Sequence, residues 1–226
     1  MAESTISLKD VSKVYRLGEF CVNALTNINL DIPENEFVVF QGPSGAGKTT
    51  LLNIIAGLDC PTKGAVNVRG VRIDKATEVY LSSFRCVNIG FVFQMYNLIS
   101  TFTAIENIEF PIEIAGLGGE KCTKTAQRIL KQVGLTNRAF HLPAQLSGGE
   151  QQRLAFARAI ANDPPIILAD EPTGNLDRVS AGKIISILSE LKRKRKTILV
   201  VSHDDNTVKL ADRVLYLADG RLTNDH

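Results

Sequence analysis

Gly42, Pro43, Ser44, Gly45, Ala46, Gly47, Lys48 and Thr49 fit the pattern G-x-x-x-x-G-K-[ST]. An apolar run with strand character (36–41) precedes them, and a helical pattern (48–57), with Thr50 in its first turn, follows. In that context the glycines let successive backbone N–H groups turn inward around phosphate oxygens. The helix N-terminus adds about half a positive charge. Lys48 brings a full charge to β- and γ-phosphates, and the Thr49 hydroxyl can ligate Mg2+. Residues 165–171 form a second constellation, an apolar strand that ends in Asp170 and Glu171. A carboxylate at the tip of a parallel strand beside a phosphate loop can hold Mg2+ directly or through water, and Asp170 is placed to do so. Glu171 can accept a proton from an attacking water. Such an acidic pair can also be a loop start or a helix cap, but the phosphate loop favours the chemical role.

Residues 146–153 (Leu-Ser-Gly-Gly-Glu-Gln-Gln-Arg) open a helical pattern that runs to about residue 161. Ser147 is a natural N-cap, and Glu150 three residues later completes a capping box. Gly148 and Gly149 in the first turn cost a helix about 1 kcal/mol each against Ala. That cost makes sense if something must approach the bare backbone, which suggests a second anion site at a helix N-terminus. No guanine-reading N-K-x-D occurs, which counts against a GTPase.

These groups need a scaffold. Short β-rich runs alternate with helical patterns, which predicts an α/β protein with a largely parallel sheet. Strands are expected over 6–11, 27–32, 36–41, 65–71, 89–93, 166–169 and 197–201. A closing pair (213–218 and 221–222) is expected around Asp219-Gly220. From about 97 to 141 the character is helical. Ile105, Ile108 and Ile112 share a face, with Pro111 expected to kink or end that helix. Ala126, Ile129, Leu130 and Val133 follow helical spacing, and so do Ile184, Ile187, Leu188 and Leu191.

Composition narrows the field. The 226 residues carry a net charge of only +2, which argues against non-specific nucleic-acid binding. The one dense basic run, 192–196, reads as a solvated helix end, with a partner or lipid headgroups as the alternative. Cys21, Cys60, Cys86 and Cys122 have no metal-ligand spacing and read as reduced thiols of a cytoplasmic protein. The N-terminus shows no signal-peptide pattern. No apolar run approaches the ~20 residues of a membrane span. Action at a membrane would therefore need another chain as its anchor.

Taken in order, the motifs resemble the ATP-binding-cassette (ABC) ATPases over almost the whole chain. Residues 42–49 resemble Walker A, 146–151 the ABC signature, and 166–171 Walker B with the catalytic Glu. Gln94 in Phe91-Val92-Phe93-Gln94 resembles the Q-loop, 175–177 (Asn-Leu-Asp) the D-loop, and His203 the switch histidine. Residues 90–99, 103–107 and 169–177 further resemble the lipoprotein-releasing and macrolide-export ATPases. Asn35, Glu150, Thr49-Thr50 and Lys196 depart from common family residues without removing any of the chemistry.

The resemblance implies a P-loop NTPase fold: a RecA-like core with a parallel sheet, an N-terminal antiparallel β subdomain and an inserted α-helical subdomain. It implies one ABC ATPase domain over 1–226. About 1–96 and 163–226 would form the β subdomain and core, and about 97–162 the helical subdomain. ATP and Mg2+ are the implied cofactors. In the implied homodimer, ATP lies between Walker A of one copy and Ser147, Gly148, Gly149 and Glu150 of the other. Tyr15 would stack on adenine, and Lys48, Thr49 and Thr50 would bind phosphate. Thr49, Gln94 and Asp170 would hold the metal, and Gln94 would also sense the γ-phosphate. Glu171 would be the general base, His203 would contact the γ-phosphate, and Asp177 would reach across the dimer. No role falls to His141 or His226.

The implied partner is a membrane permease subunit whose coupling helix the helical insertion would grip. That would place the chain at the inner face of the cell membrane, with no nucleic-acid partner. The apolar residues among 95–105 (Met95, Tyr96, Leu98, Ile99, Phe102) suit either such a groove or internal packing. An export or lipoprotein-release system is expected; an importer's ATPase and a soluble ABC ATPase are the alternatives.

Overall fold

The computed structural model describes residues 4–18 and 20–223. His226 and the first three residues of the N-terminal stretch read for a signal peptide lie outside the described residues. The chain opens with two long antiparallel strands, β1 (Ser4–Leu17) and β2 (Phe20–Pro33). Then come β3 (Phe37–Gln41), α1 (Lys48–Ile55), β4 (Lys63–Val68), β5 (Val71–Arg72), α2 (Glu78–Asn88) and β6 (Ile89–Val92). Three helices follow: α3 (Ala104–Ile114), α4 (Glu120–Gln132) and α5 (Gly148–Ala159). The chain closes with β7 (Ile166–Asp170), α6 (Arg178–Arg193), β8 (Thr197–Val201), α7 (Asp205–Val208), β9 (Arg213–Ala218) and β10 (Arg221–Thr223).

Two sheets result. One runs β2-β1-β4-β5 and is antiparallel; the other runs β10-β9-β3-β8-β7-β6. All neighbours in the second sheet are parallel except β10, which folds back on β9 at the edge. Every residue of β7 and β8 is buried, as expected of parallel strands covered on both faces. The period of two divides their side chains between two cores. Phe37, Val39, Ile167, Ala169, Ile198 and Val200 face α5, α6 and the apolar stripes of α3 and α4. Val38, Phe40, Ile166, Leu168, Leu199 and Val201 face α1 and the inner side of the antiparallel sheet. A parallel core, an antiparallel β subdomain and a helical subdomain are thus the three parts that the resemblance implied.

Several local expectations needed correction. Pro111 does not end its helix: α3 continues to Ile114. The Pro111 carbonyl keeps its helical bond from Ala115 N–H (3.1 Å) and also accepts from the Asn162 side-chain amide (2.9 Å), so the turn after the proline is intact and tied to a distant segment. The strand expected over 65–71 stops at Val68, where Arg69 and Gly70 turn with φ of +51° and +79°. Helix α2 was not foreseen: it buries only Leu81 and Phe84, while Val79, Tyr80 and Val87 stand exposed and blur the helical spacing of its apolar residues.

The basic run 192–196 is largely engaged within the chain. Lys192 pairs with Asp212, Lys194 with Glu190 and Lys196 with Asp163. The four cysteines are free thiols. Among the described residues no helix is long and apolar enough to cross a membrane.

Candidate functional site

Strand order decides which chain segments meet. The loop after β3, residues 93–94 after β6, Asp170-Glu171 at the end of β7 and Ser202-His203 after β8 all leave the same, C-terminal edge of the parallel sheet. That edge is where open α/β sheets bind ligands.

The loop 42–49 is shaped by its neighbours. A Cβ on Gly42 (φ +137°) would stand 1.9 Å from the Leu217 carbonyl oxygen, and one on Gly47 (φ +100°) 2.2 Å from that of Ala24. These two glycines are therefore required by the approach of β9 and β2, in addition to the N–H cradle for which the sequence suggested them. Gly47 is the N-cap of α1, no side chain caps that helix, and its first turn holds no acid. By contrast α2, α3, α5, α6 and α7 each have a capping side chain, and α4, which like α1 lacks one, carries Glu120 in its first turn. The leading N–H groups of α1 thus have no side-chain acceptor, the electrostatic condition for an anion site. Lys48 is 8% exposed, and its Nζ donates to the loop's own carbonyls, Gly42 O (2.6 Å) and Pro43 O (2.9 Å).

Thr49 Oγ1 donates to Asp170 Oδ2 at 2.7 Å, and Asp170 Oδ1 is buried with no hydrogen-bond partner. Burial pushes the Asp170 carboxyl up, against the Thr49 bond and the charge of Lys48. A buried, unpartnered carboxylate oxygen beside a hydroxyl fits a hard, oxygen-seeking cation such as Mg2+. Among the described residues no group of three or more His, Cys, Asp or Glu converges, so such a cation would need oxygens from a bound phosphate.

Glu171 follows with φ +44°, its N–H donating to Val201 O (2.9 Å). Its Oε1 lies 3.5 Å from His203 Nε2. Burial is the largest influence on this carboxyl and raises it; His203 and Lys48 pull the other way. A raised carboxylate is a stronger base, suited to proton abstraction near neutral pH. The Gln94 side chain is exposed two residues beyond β6.

The signature-like segment caps α5. Ser147 Oγ accepts from Glu150 N (3.3 Å), while Glu150 Oε2 accepts from Ser147 N (2.9 Å) and Ser147 Oγ (3.0 Å). These backbone and side-chain bonds, with Arg138 beside them, hold Glu150 down to about 2 although partial burial opposes it. A Cβ on Gly149 would meet Ser180 Oγ at 2.3 Å, so α6 supplies an intrachain reason for that glycine. At Gly148 the nearest atom is Tyr96 Oη at 3.4 Å. No hydrogen bond or ion pair among the described residues joins this segment to loop 42–49. Asp177 caps α6, accepting from Val179 N (2.9 Å) and Ser180 N (3.0 Å).

Tyr15, half-buried on β1, donates its hydroxyl to Asp59 at 2.6 Å. Sequence reasoning passed over Asp59 and Lys13. Their only signal was the Lys13-x-Tyr15 alternation, because Asp59 is 44 residues away. In the stretch 95–105, Tyr96 and Leu98 pack against the core, while Met95 is exposed. Ile99, Phe91, Phe93, Phe110 and Ile114 line an open apolar groove of about 430 Å3.

Fold and site together define a P-loop ATPase. The family model described as ABC transporter matches residues 25–174. An uncharacterized ABC transporter ATP-binding protein of Methanocaldococcus jannaschii, MJ0796, is 47% identical over 97% of this chain and 96% of its own length. The macrolide export ATP-binding/permease protein MacB of Hyphomonas neptunium is 41% identical over all of this chain and 35% of its own. A dimeric structure of a post-hydrolysis state of the ATP-binding cassette MJ0796, bound to ADP and Pi, superposes with a TM-score of 0.93 at 45% identity. It covers 98% of this chain and 97% of that one. The chain belongs to the ABC transporter family; it is an ABC ATPase that hydrolyses ATP to ADP and phosphate.

Proposed function

We propose that this chain drives an export-type or lipoprotein-releasing membrane complex by closing, with a second copy of itself, around ATP. One observation carries the dimer. The uncapped N-terminus of α1 at Gly47 and the exposed Ser147-Gly148 start of α5, which carries its own capping box, are two separate helix N-termini, and among the described residues no bond links them within one copy. A head-to-tail pair would bring the loop of one copy to the Ser147 segment of the other. The dimeric MJ0796 cassette with ADP and Pi supports a nucleotide-bound pair. The 41% identity to MacB, named for macrolide export, supports the export class.

The chemistry follows from the resting geometry. Lys48 exchanges its contacts with Gly42 O and Pro43 O for the β- and γ-phosphates, and N–H groups of Gly45, Ala46, Gly47, Lys48, Thr49 and Thr50 surround them. Pro43 and Ser44 shape that loop. Thr49, Asp170 and Gln94 would hold Mg2+, which supplies charge neutralisation on the phosphates when bound. Glu171 accepts the proton of the attacking water as the water oxygen bonds to the γ-phosphorus and the bridging P–O bond breaks, leaving ADP and phosphate. His203 contacts the γ-phosphate and orients the attacking water. Tyr15 stacks on adenine. From the second copy, Ser147 would present its hydroxyl and Gly148 and Gly149 their backbone N–H groups, with Glu150 holding the capping box behind them, and Asp177 would lie at the seam.

Residues 97–162 would then be the helical lever and the remainder the β subdomain and core. The apolar groove beside Ile99 suits the coupling helix of a permease subunit, which would hold the chain at the inner face of the cell membrane. Sedimentation of Glu171→Gln with and without ATP tests the central claim. An ATP-dependent dimer, abolished by adding Ser147→Arg, is expected; a monomer at every ATP concentration refutes it. Purification of the permease with this chain, and its own extracytoplasmic architecture, tests the export class.

A further inference from the structure

We propose that Asp59 is a positioning residue for nucleotide binding: through the Tyr15 hydroxyl it fixes that ring, with Lys13 over one face, and leaves the other face open to the base. This rests on Tyr15 being the adenine platform. Lys13 and Tyr15 alternate on β1, so both side chains leave the same face of the strand. The pairing of β1 with β2 shifts register on either side of Lys13, an irregularity of the kind that re-aims side chains beside functional sites. Asp59 lies just past α1, the helix whose N-terminus forms the phosphate loop.

Both carboxylate oxygens of Asp59 are occupied. Oδ2 accepts from Tyr15 Oη (2.6 Å), and Oδ1 accepts from Lys13 Nζ and from Cys60 N–H (2.7 Å). Lys13 Nζ also donates to Cys60 O (2.8 Å) and lies 4.8 Å from the centre of the Tyr15 ring. Burial pushes the Asp59 carboxyl up, but the bonds from Lys13, Tyr15 and Cys60 outweigh it and keep it ionised. Burial, and next the bond to Asp59, raise the Tyr15 phenol, so its proton stays on the oxygen and points at Asp59; the Thr50 hydroxyl pulls the other way.

Two consequences follow. The phenolic proton is committed, so Tyr15 offers the base a ring face and no hydrogen bond. The ring is also set before nucleotide arrives. Apparent affinity scales with the fraction of protein in the binding-competent arrangement. A tyrosine released from its tether can sample three staggered χ1 wells, so that fraction falls to about one-third or less.

The test is ATP titration and steady-state hydrolysis of Tyr15→Phe, Asp59→Ala, the double variant and Tyr15→Ala. Each of the first two is expected to raise KM and Kd for ATP about 3–10-fold, with kcat at saturation within about twofold of the parent. The double variant should be no worse than either single change, because one removes the donor and the other the acceptor of the same tether, and Tyr15→Ala should be worse than all three. Where Asp59→Ala lowers the melting temperature, Tyr15→Phe carries the test, since it removes only the hydroxyl. Additive losses in the double variant, or unchanged KM in Asp59→Ala while Tyr15→Ala is impaired, overturn the tether and leave the platform standing. Unchanged KM in Tyr15→Ala overturns platform and tether together.

Discussion

Gly148 and Gly149 are adjacent in sequence, yet substitution by alanine should act in opposite ways on the isolated chain. At Gly149 the new Cβ would fall 2.3 Å from Ser180 Oγ and 2.7 Å from Ser180 Cβ. Rotating the serine moves Oγ but not Cβ, so α5 and α6 must separate. Such overpacking costs about 1–3 kcal/mol. Replacing glycine within a helix returns roughly 0.5–1 kcal/mol. At the middle of both ranges the net loss is about 1.2 kcal/mol, a fall of a few degrees in melting temperature for a chain of this size. At Gly148 the only near atom is Tyr96 Oη at 3.4 Å, ordinary contact. Gly148→Ala should therefore melt at or slightly above the parent temperature. Its methyl group would nevertheless stand where the bare backbone is proposed to meet the other copy's triphosphate, so ATP-dependent dimerisation and turnover should fall. Differential scanning calorimetry, sedimentation with ATP and phosphate release separate the two effects. Ser180→Gly, which removes both clashing atoms, should relieve the stability loss of Gly149→Ala. A Gly148→Ala chain that dimerises and turns over like the parent would refute the exposed-backbone account of this segment. A Gly149→Ala chain as stable as the parent would refute the packing account.

Glu171→Gln keeps the shape of the side chain and removes the proton acceptor, so phosphate release should fall about 10²–10⁴-fold with ATP binding retained; a loss under tenfold contradicts the base assignment. Burial raises the Glu171 carboxyl above its ordinary 4.5. The base works ionised, so hydrolysis in the parent should decline as pH falls, with a midpoint above 4.5; a midpoint at or below that value contradicts the burial effect. Lys48→Ala removes the buried ammonium of the phosphate loop and should weaken ATP binding in calorimetric titration; unchanged affinity would sink the loop assignment. Glu150 is held at about 2 against an ordinary 4.5. Its contribution to stability is thus complete above 4.5 and lost as pH falls through about 2, so the difference in melting temperature between the parent and Glu150→Gln should shrink across that window.

What the sequence determined by itself is local. The phosphate loop, the Asp170-Glu171 strand end, the Ser147 capping box and the hairpin at Asp219-Gly220 are each written in a handful of consecutive residues, because backbone conformation and capping depend on near neighbours. The family resemblance placed Gln94 and His203 in order along the chain, and the order of the parallel strands set both at the edge where the loop lies. Tertiary structure alone decided the rest. Pro111 stays within its helix, and Asn162, 51 residues away, donates to its carbonyl. Helix α2 forms with only two buried side chains because the core accepts Leu81 and Phe84. Gly42 and Gly47 are compelled by carbonyls of β9 and β2, and Gly149 by a serine on α6. Tyr15 meets Asp59 only after β1 has been laid beside the end of α1. Contacts of this kind depend on which elements pack together, and a side chain carries no mark of a partner that only the completed sheet brings within hydrogen-bonding distance.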